Sequence, residues 1–203
     1  MITTPQAELR GGSPLGSPSR SASSRYRTDK GTEVKPRDVV YTPDWAAKQI
    51  IDRYTPSGSI LDPCRGDGAF WRQMPGAEWC EIQDGRDFFD WKTPVDWIIG
   101  NPPYSVMNQW LTHSLKLADN IVYLIPVAKL FGSRARLKQV RDFGLKEVWS
   151  PWTGRTIGFE FGWACGCVHL QRGYHGGVTI DCEPNDQAHT QKGRERGTNN
   201  TQD

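Results

Sequence analysis

Four short stretches carry residue types that could do chemistry. The first is Asp62-Pro63-Cys64-Arg65-Gly66-Asp67-Gly68-Ala69-Phe70. An acid ends the apolar run Ser59-Ile60-Leu61, and two glycines follow, where the missing Cβ lets a ligand approach the backbone. A carboxylate here repels a pyrophosphate and suits a cationic or amine-bearing ligand. The second is Glu81, at the end of an expected strand, where an acid can hold two ribose hydroxyls. The third is Asp87-Phe88-Phe89, an acceptor for an exocyclic amine beside a ring able to stack on a purine. The fourth is Asn101-Pro102-Pro103-Tyr104, directly after the apolar run that ends at Gly100. Its prolines remove two N–H donors and stiffen the backbone. What remains is the Asn101 amide oxygen and the Pro102 carbonyl as acceptors, beside the flat ring of Tyr104. That set suits a planar group carrying an NH2. Singly, each stretch also reads as ordinary structure: a tight turn, a strand-end acid, a surface acid beside core aromatics, a proline-rich loop.

The elements that must position these residues alternate. Thr42 can cap a helix with Pro43 at its first position, and Ala46, Ala47, Ile50, Ile51 and Tyr54 then recur at helical spacing. Short strands are expected at 59–61, 78–82 and 95–99. Ser105 can cap a helix whose buried face is Met107, Trp110, Leu111, Leu115 and Ala118. Ile121–Ile125 is a near-continuous apolar run, as in a buried parallel strand. Ser133–Phe143 is a basic helix stopped by Gly144, and Leu145–Trp149 and Trp163–Leu170 are the last strands. Strands alternating with helices imply an open, mostly parallel α/β sheet with helices on both faces, which binds ligands at the carboxyl ends of its strands.

The chain of 203 residues has room for one domain with tails, and only 36% of its residues are hydrophobic. Residues 1–38 are rich in Gly, Ser, Pro and Thr and carry seven basic and four acidic residues; a disordered leader is expected there. The catalytic core is expected over 39–171, with a flexible polar tail over 172–203. The net charge of +2 names no partner. No apolar run is long enough to span a membrane, no secretory signal is visible, and five cysteines without paired spacing argue against a disulfide scaffold. A cytoplasmic location is therefore expected. Cys165-Gly166-Cys167, His113 and His169 lack metal-ligand spacing and are expected to be structural, so no metal is expected. The segment Lys129–Arg155 holds seven basic and two acidic residues. Its Lys129, Arg134, Arg136, Lys138 and Arg141, interleaved with Trp149 and Trp152, suit a nucleic-acid backbone and splayed bases. Trp79, Trp97 and Trp163 are expected in the core.

Taken together and in this order, the four stretches resemble the S-adenosylmethionine-dependent N6-adenine DNA methyltransferases of the Asn-Pro-Pro-Tyr type, in style closest to small phage and mobile-element members. The resemblance covers about 39–171. Asp62-Pro63-x-x-Gly66-x-Gly68 is similar to the family's cofactor motif, Asn101-Pro102-Pro103-Tyr104 to its catalytic motif, and Tyr41-Thr42-Pro43 to an upstream motif at the cofactor's methionine end. The resemblance implies a Rossmann-like class I methyltransferase fold, with a seven-stranded, mostly parallel sheet and a terminal antiparallel strand. It implies S-adenosylmethionine as cofactor. Asp62, Pro63, Gly66, Gly68 and Phe70 would form the pocket for its methionine part, Thr42 and Pro43 would meet the carboxylate end, and Glu81 the ribose. Asp87 would take the adenine amine, with Phe88 packed on that ring. Asn101 and Pro102 would accept from the target N6 protons, with Pro103 stiffening the loop and Tyr104 stacking on the target base. The implied partner is DNA, with the base flipped or unpaired, acted on by a monomer or homodimer. RNA adenine methylation, protein glutamine methylation and a non-catalytic cofactor- or nucleic-acid-binding module are the alternatives. No segment after Gln171 resembles a target-recognition domain.

Overall fold

The computed structural model describes residues 40–182. The expected leader over 1–38 and the last part of the expected tail, 183–203, lie outside the described residues. Seven strands form one sheet: β1 (Ile60–Asp62), β2 (Glu78–Trp79), β3 (Val95–Gly100), β4 (Ala118–Pro126), β5 (Leu145–Thr153), β6 (Ala164–Gln171) and β7 (Thr179–Asp181), in the order β2-β1-β3-β4-β6-β5-β7. The pairs β1–β2, β1–β3, β3–β4 and β5–β7 are parallel. β6 alone runs the other way, between β4 and β5. The expected antiparallel strand is thus present, inside the sheet rather than at its edge.

The sheet also extends past the expected end of the core. Glu147 pairs with Thr179 and Trp149 with Asp181, and Arg172 reaches back to the Asp119 carboxylate at 2.8 Å and the Ala118 carbonyl at 2.7 Å. Residues 172–182 therefore belong to the folded unit, contrary to the expected boundary. They are continuous with the polar stretch that runs to residue 203, and averaged with it their apolar residues do not stand out, which is why composition assigned them to the tail.

Side chains alternate across a strand, and the two cores follow that period. Ile98, Ile121, Tyr123, Ile125, Val168 and Leu170 join one cluster, and Ile99, Val122, Leu124, Cys165 and Cys167 join the other. The first face is covered by α2 (Met107–Leu117), α3 (Val127–Phe131) and α4 (Arg134–Phe143); the second by α1 (Asp44–Tyr54). In α2, Met107, Trp110, Leu111, Ser114 and Leu117 are buried at helical spacing. Ala118, expected on that helix, opens β4 instead. Between β2 and β3 only two single-turn 3-10 segments, Ile82–Asp84 and Phe88–Asp90, replace a crossover helix.

β1 leads outward to β2, and the chain then returns to β3 on the other side of β1. The connection changes direction between β1 and β3, so their carboxyl ends open the crevice in which such sheets bind ligands. Asp62 and Asn101 stand at those two ends.

Candidate functional site

The site is built around the close approach of the β1 and β3 ends. A Cβ on Gly100 would lie 3.1 Å from Asp62 Oδ1 and 3.1 Å from Pro63 Cδ. Any side chain there would push the two motifs apart. Cys64 Sγ adds a tie, donating to the Asn101 carbonyl at 3.1 Å. Burial and the neighbouring Asp62 hold the Cys64 thiol well above its usual range, which disfavours the thiolate.

Asp62 is 1% exposed. Its Oδ1 accepts from the Cys64 amide at 3.2 Å, while Oδ2 is buried without a hydrogen bond of normal geometry among the described residues, the Trp71 amide being the other backbone donor that favours its charged form. Burial pushes its carboxyl up to about 7; the Cys64 and Trp71 amides and Arg65 act against that rise, and Glu81 adds to it. A buried carboxylate oxygen without a well-formed hydrogen bond costs free energy until a donor arrives. An ammonium group is the donor that suits it best.

Glu81 does not lie within β2; it caps the turn after it. Its Oε1 accepts from the Gln83 amide at 3.1 Å and its Oε2 from the Gly66 amide at 2.9 Å. The second strand-end acid thereby holds the glycine turn, and each oxygen keeps another lone pair for a hydroxyl. Gly66 has φ +55°, and a Cβ there would touch the Tyr41 ring at 3.3 Å. Glycine is needed for both reasons. Gly68 closes the turn by donating to the Arg65 carbonyl at 2.8 Å. Phe70 is buried in the second core beneath it.

Asn101 is oriented by its partners. Its Nδ2 donates to the Val40 carbonyl at 3.0 Å and to Thr42 Oγ1 at 3.2 Å. A carbonyl only accepts, so the amide nitrogen must face Val40, and Oδ1 becomes the acceptor on the other side. Oδ1 takes the Tyr104 hydroxyl at 2.8 Å, which leaves it one further lone pair. Thr42 was expected to cap α1. The capping position is Pro43, without a side-chain cap, and the buried Thr42 hydroxyl serves Asn101 instead. Ser105 likewise makes no cap for α2; its Oγ is buried and unpartnered, and a 3-10 turn over Tyr104–Val106 leads into the helix.

Other expected site residues fall elsewhere. Asp87 Oδ1 accepts from the Phe89 amide at 2.9 Å and caps the Phe88–Asp90 turn. Phe88 is fully buried, 4.6 Å from the Trp110 ring and 4.8 Å from that of His113. It presents no face for stacking, and withdrawing it would cost about 2–3 kcal/mol of burial. Trp149 and Trp152, expected to meet nucleic acid, are 6% and 4% exposed and pack on each other at 5.0 Å in the second core. They are core residues because β5 is an internal strand, which the short apolar run did not reveal. Arg136 is occupied by Asn108 Oδ1 at 2.7 Å and the Lys129 carbonyl, tying α4 to α2. Lys138 pairs with Asp142 at 2.6 Å, and Arg141 shares that acid. Lys129 and Arg134 are exposed.

Other aromatic residues, not singled out as site residues, lie near Tyr104 instead. The loop between β5 and β6 brings Phe161 to 6.3 Å from Tyr104, edge to face. Trp163, expected in the core, is 61% exposed. The Gly-Phe-Glu-Phe-Gly-Trp run, with aromatics two apart, was the signal that could have marked them. Trp79 and Trp97 are half-buried: Trp79 lies between the Arg65 and Arg86 guanidiniums at 4.1 and 4.0 Å, and Trp97 stacks on His169 at 5.5 Å. His113 and His169 are structural. Burial lowers the pKa of both, that of His169 to about 4. Among the described residues no three His, Cys, Asp or Glu side chains converge as a metal site, and no helix is long and apolar enough to cross a membrane.

No protein-family model and no curated protein matches the chain. Solved structures do. The type I restriction-modification methyltransferase subunit from Streptococcus thermophilus aligns with a TM-score of 0.53 at 13% identity, over 77% of this chain and 52% of that one. A structure of a type I restriction-modification system, solved for its complex assembly and conformational transition, gives 0.52 at 15%, over 77% and 50%. A candidate class I S-adenosylmethionine-dependent methyltransferase from Listeria monocytogenes gives 0.53 at 12%, over 79% and 72%. The chain spans about half the length of the two type I structures. At these identities the likeness is one of fold, and the fold is that of the class I methyltransferases.

Proposed function

We propose that the chain transfers a methyl group from S-adenosylmethionine to the N6 amine of an adenine in DNA, with the target base flipped or unpaired. The observation that carries this reading is the Asn101 side chain: its nitrogen is anchored to Val40 and Thr42 and its oxygen accepts from the Tyr104 hydroxyl with a lone pair to spare, one residue past the Gly100 that packs on Asp62. The fold, shared with type I restriction-modification methyltransferase subunits, supports it.

In this reading Asp62 takes the ammonium of the cofactor's methionine part, and Pro43 and the Thr42 backbone lie at its carboxylate end, while the Thr42 hydroxyl stays behind Asn101. Pro63, Gly66 and Gly68 shape the turn against which it lies, with Phe70 supporting that turn from the core. Glu81 takes ribose hydroxyls, and Asp87 the adenine amine. When bound, the cofactor supplies an electrophilic sulfonium methyl. The protein's own task is to make a poor nucleophile attack. The N6 lone pair is delocalised into the purine ring, and a base within a duplex is out of reach, so it must leave the stack. Asn101 Oδ1 and the Pro102 carbonyl accept hydrogen bonds from the two N6–H groups and draw the nitrogen toward a tetrahedral geometry, which frees the lone pair; one N6 proton is lost to water once the methyl group is gained. Tyr104 supplies the flat surface that holds the base, and Pro103 keeps the loop stiff. The acceleration comes from orientation and from dipoles already fixed before the reaction.

The test is long-read mapping of N6-methyladenine in a host without adenine methylation, expressing the chain or its Asn101→Ala variant. Methylation is expected with the wild type only, the variant losing at least about 100-fold in rate while still binding the cofactor by calorimetry. Soluble wild-type protein that binds the cofactor and leaves DNA unmodified would overturn DNA as the substrate; methyl transfer to RNA or to glutamine peptides would then name it.

A further inference from the structure

We infer that the loop between β5 and β6 is a platform for an unpaired DNA strand, on which Trp163 stacks a base beside the target and Arg155 meets a backbone phosphate. This rests on the methyltransferase reading only for its biological sense; the surface itself is described by the loop.

Phe159, Phe161 and Trp163 form a row of rings spaced 5.5 and 5.6 Å apart. The row runs from a buried ring (Phe159, 3% exposed) through a half-buried one to a ring 61% exposed. Its middle member lies beside Tyr104, so the row leads from the catalytic loop out to solvent. The loop is held by its own backbone: the Gly154 amide donates to the Trp163 carbonyl at 2.9 Å, and the Phe159 amide to the Gly154 carbonyl at 2.9 Å. Gly154 is packed under Phe161 so closely that a Cβ would collide with that ring. Trp163 is therefore displayed from a rigid support rather than carried on a floppy segment. The Arg155 guanidinium lies against Gly162, next in sequence to Trp163, and Arg155 is exposed without an ion pair among the described residues.

An exposed indole on a fixed loop, with a cation beside it, is the combination that binds single strands, since every base has a π-face and every nucleotide a phosphate. The loop also carries one acid, Glu160, so its charge is balanced and stacking must dominate. A duplex offers no uncovered base face in mid-helix, so the occupant is an unpaired strand.

The test uses the full chain without cofactor and a fluorescein-labelled dT12, which contains no adenine, read by fluorescence anisotropy. Trp163→Ala is expected to weaken binding about 10-fold or more, Trp163→Phe to retain most of it, and Arg155→Ala to cost less than Trp163→Ala and to flatten the salt dependence. Thermal unfolding of Trp163→Ala should match the wild type. Binding of Trp163→Ala within two-fold of wild type would overturn the proposal. So would competition by a GC-only hairpin duplex as strong as that by dT12, and rU12 bound more tightly than dT12 would overturn the choice of DNA. Because the probe cannot be methylated at adenine, this result stands or falls independently of the transfer assay.

Discussion

Two neighbouring regions, the crevice at the β1 and β3 ends and the loop beside Tyr104, are held in different ways. In the crevice, directional hydrogen bonds set individual atoms: Glu81 holds Gly66, Thr42 and Val40 hold Asn101, and Asn101 holds Tyr104. In the loop 154–163, rings are set by packing, and backbone bonds fix only the loop itself. The first construction fixes the positions of individual donor and acceptor atoms. The second fixes whole rings and leaves apolar area at the surface. The lesson extends along β5. Trp149 and Trp152 lie on the strand and are sealed into the core, while Trp163, past the turn, faces solvent. One residue type is core in the first place and surface in the second.

The strongest way to break this contrast is Trp152→Ala. Removing a buried indole should cost about 3–5 kcal/mol, a large share of the stability of an ordinary domain. Denaturant unfolding checks it; a cost as small as that of Trp163→Ala would mean the two tryptophans do not differ as described.

Asp62→Asn sharpens the directional side. The carboxyl titrates near 7 in the folded chain and near 3.8 unfolded, so the folded state binds the extra proton. The associated stability is full below about pH 4 and is lost as pH rises through about 7. Without cofactor, Asp62→Asn should therefore be more stable than wild type at pH 8, by at most a few kcal/mol, and little different at pH 4. An ammonium ligand favours the ionised form, so wild-type cofactor affinity should rise between pH 5.5 and 7.5, up to about ten-fold per unit below the pKa. In Asp62→Asn that pH dependence should vanish and affinity should fall. Calorimetry across that range, with melting curves at both pH extremes, reads both effects.

The smallest expected effect is that of Thr42→Ala. It removes one of the two acceptors for Asn101 Nδ2, worth about 1 kcal/mol. The rate of transfer should drop about five-fold with cofactor affinity nearly unchanged, and Thr42→Ser should restore it. Loss of cofactor affinity without loss of rate would place Thr42 at the cofactor rather than behind Asn101.

Much of the fold was legible because periodicity is a local signal. The apolar run Ile121–Ile125 and the spacing of Met107, Trp110 and Leu111 locate β4 and α2 from neighbouring residues alone. The basic helix forms as expected, with Ser133 as its cap rather than its first residue, accepting from the Arg136 amide. The edge strand β7 was not legible, since Thr179–Asp181 owes its strand to hydrogen bonds with β5, far away in sequence. At the site, Asp62, Gly66 and Asn101 could be singled out because acids, glycines and prolines at strand ends have few cheap uses. Phe88 could not be judged so: an aromatic after an acid suits a ligand or the core equally, and only the position of Trp110 decides.

By itself the sequence determined which backbone turns form and which atoms they offer: a glycine turn after an acid, and an acceptor cluster after a strand. Those are properties of a few adjacent residues, dictated by sterics and by missing donors. The tertiary structure alone decided which side chains remain available. It turned the Thr42 hydroxyl from a helix cap into a brace for Asn101, sealed Phe88, Trp149 and Trp152 into the core, and set Trp163 in solvent beside the site. Burial and hydrogen-bond partnership depend on what the rest of the chain brings alongside, and no local pattern carries that information.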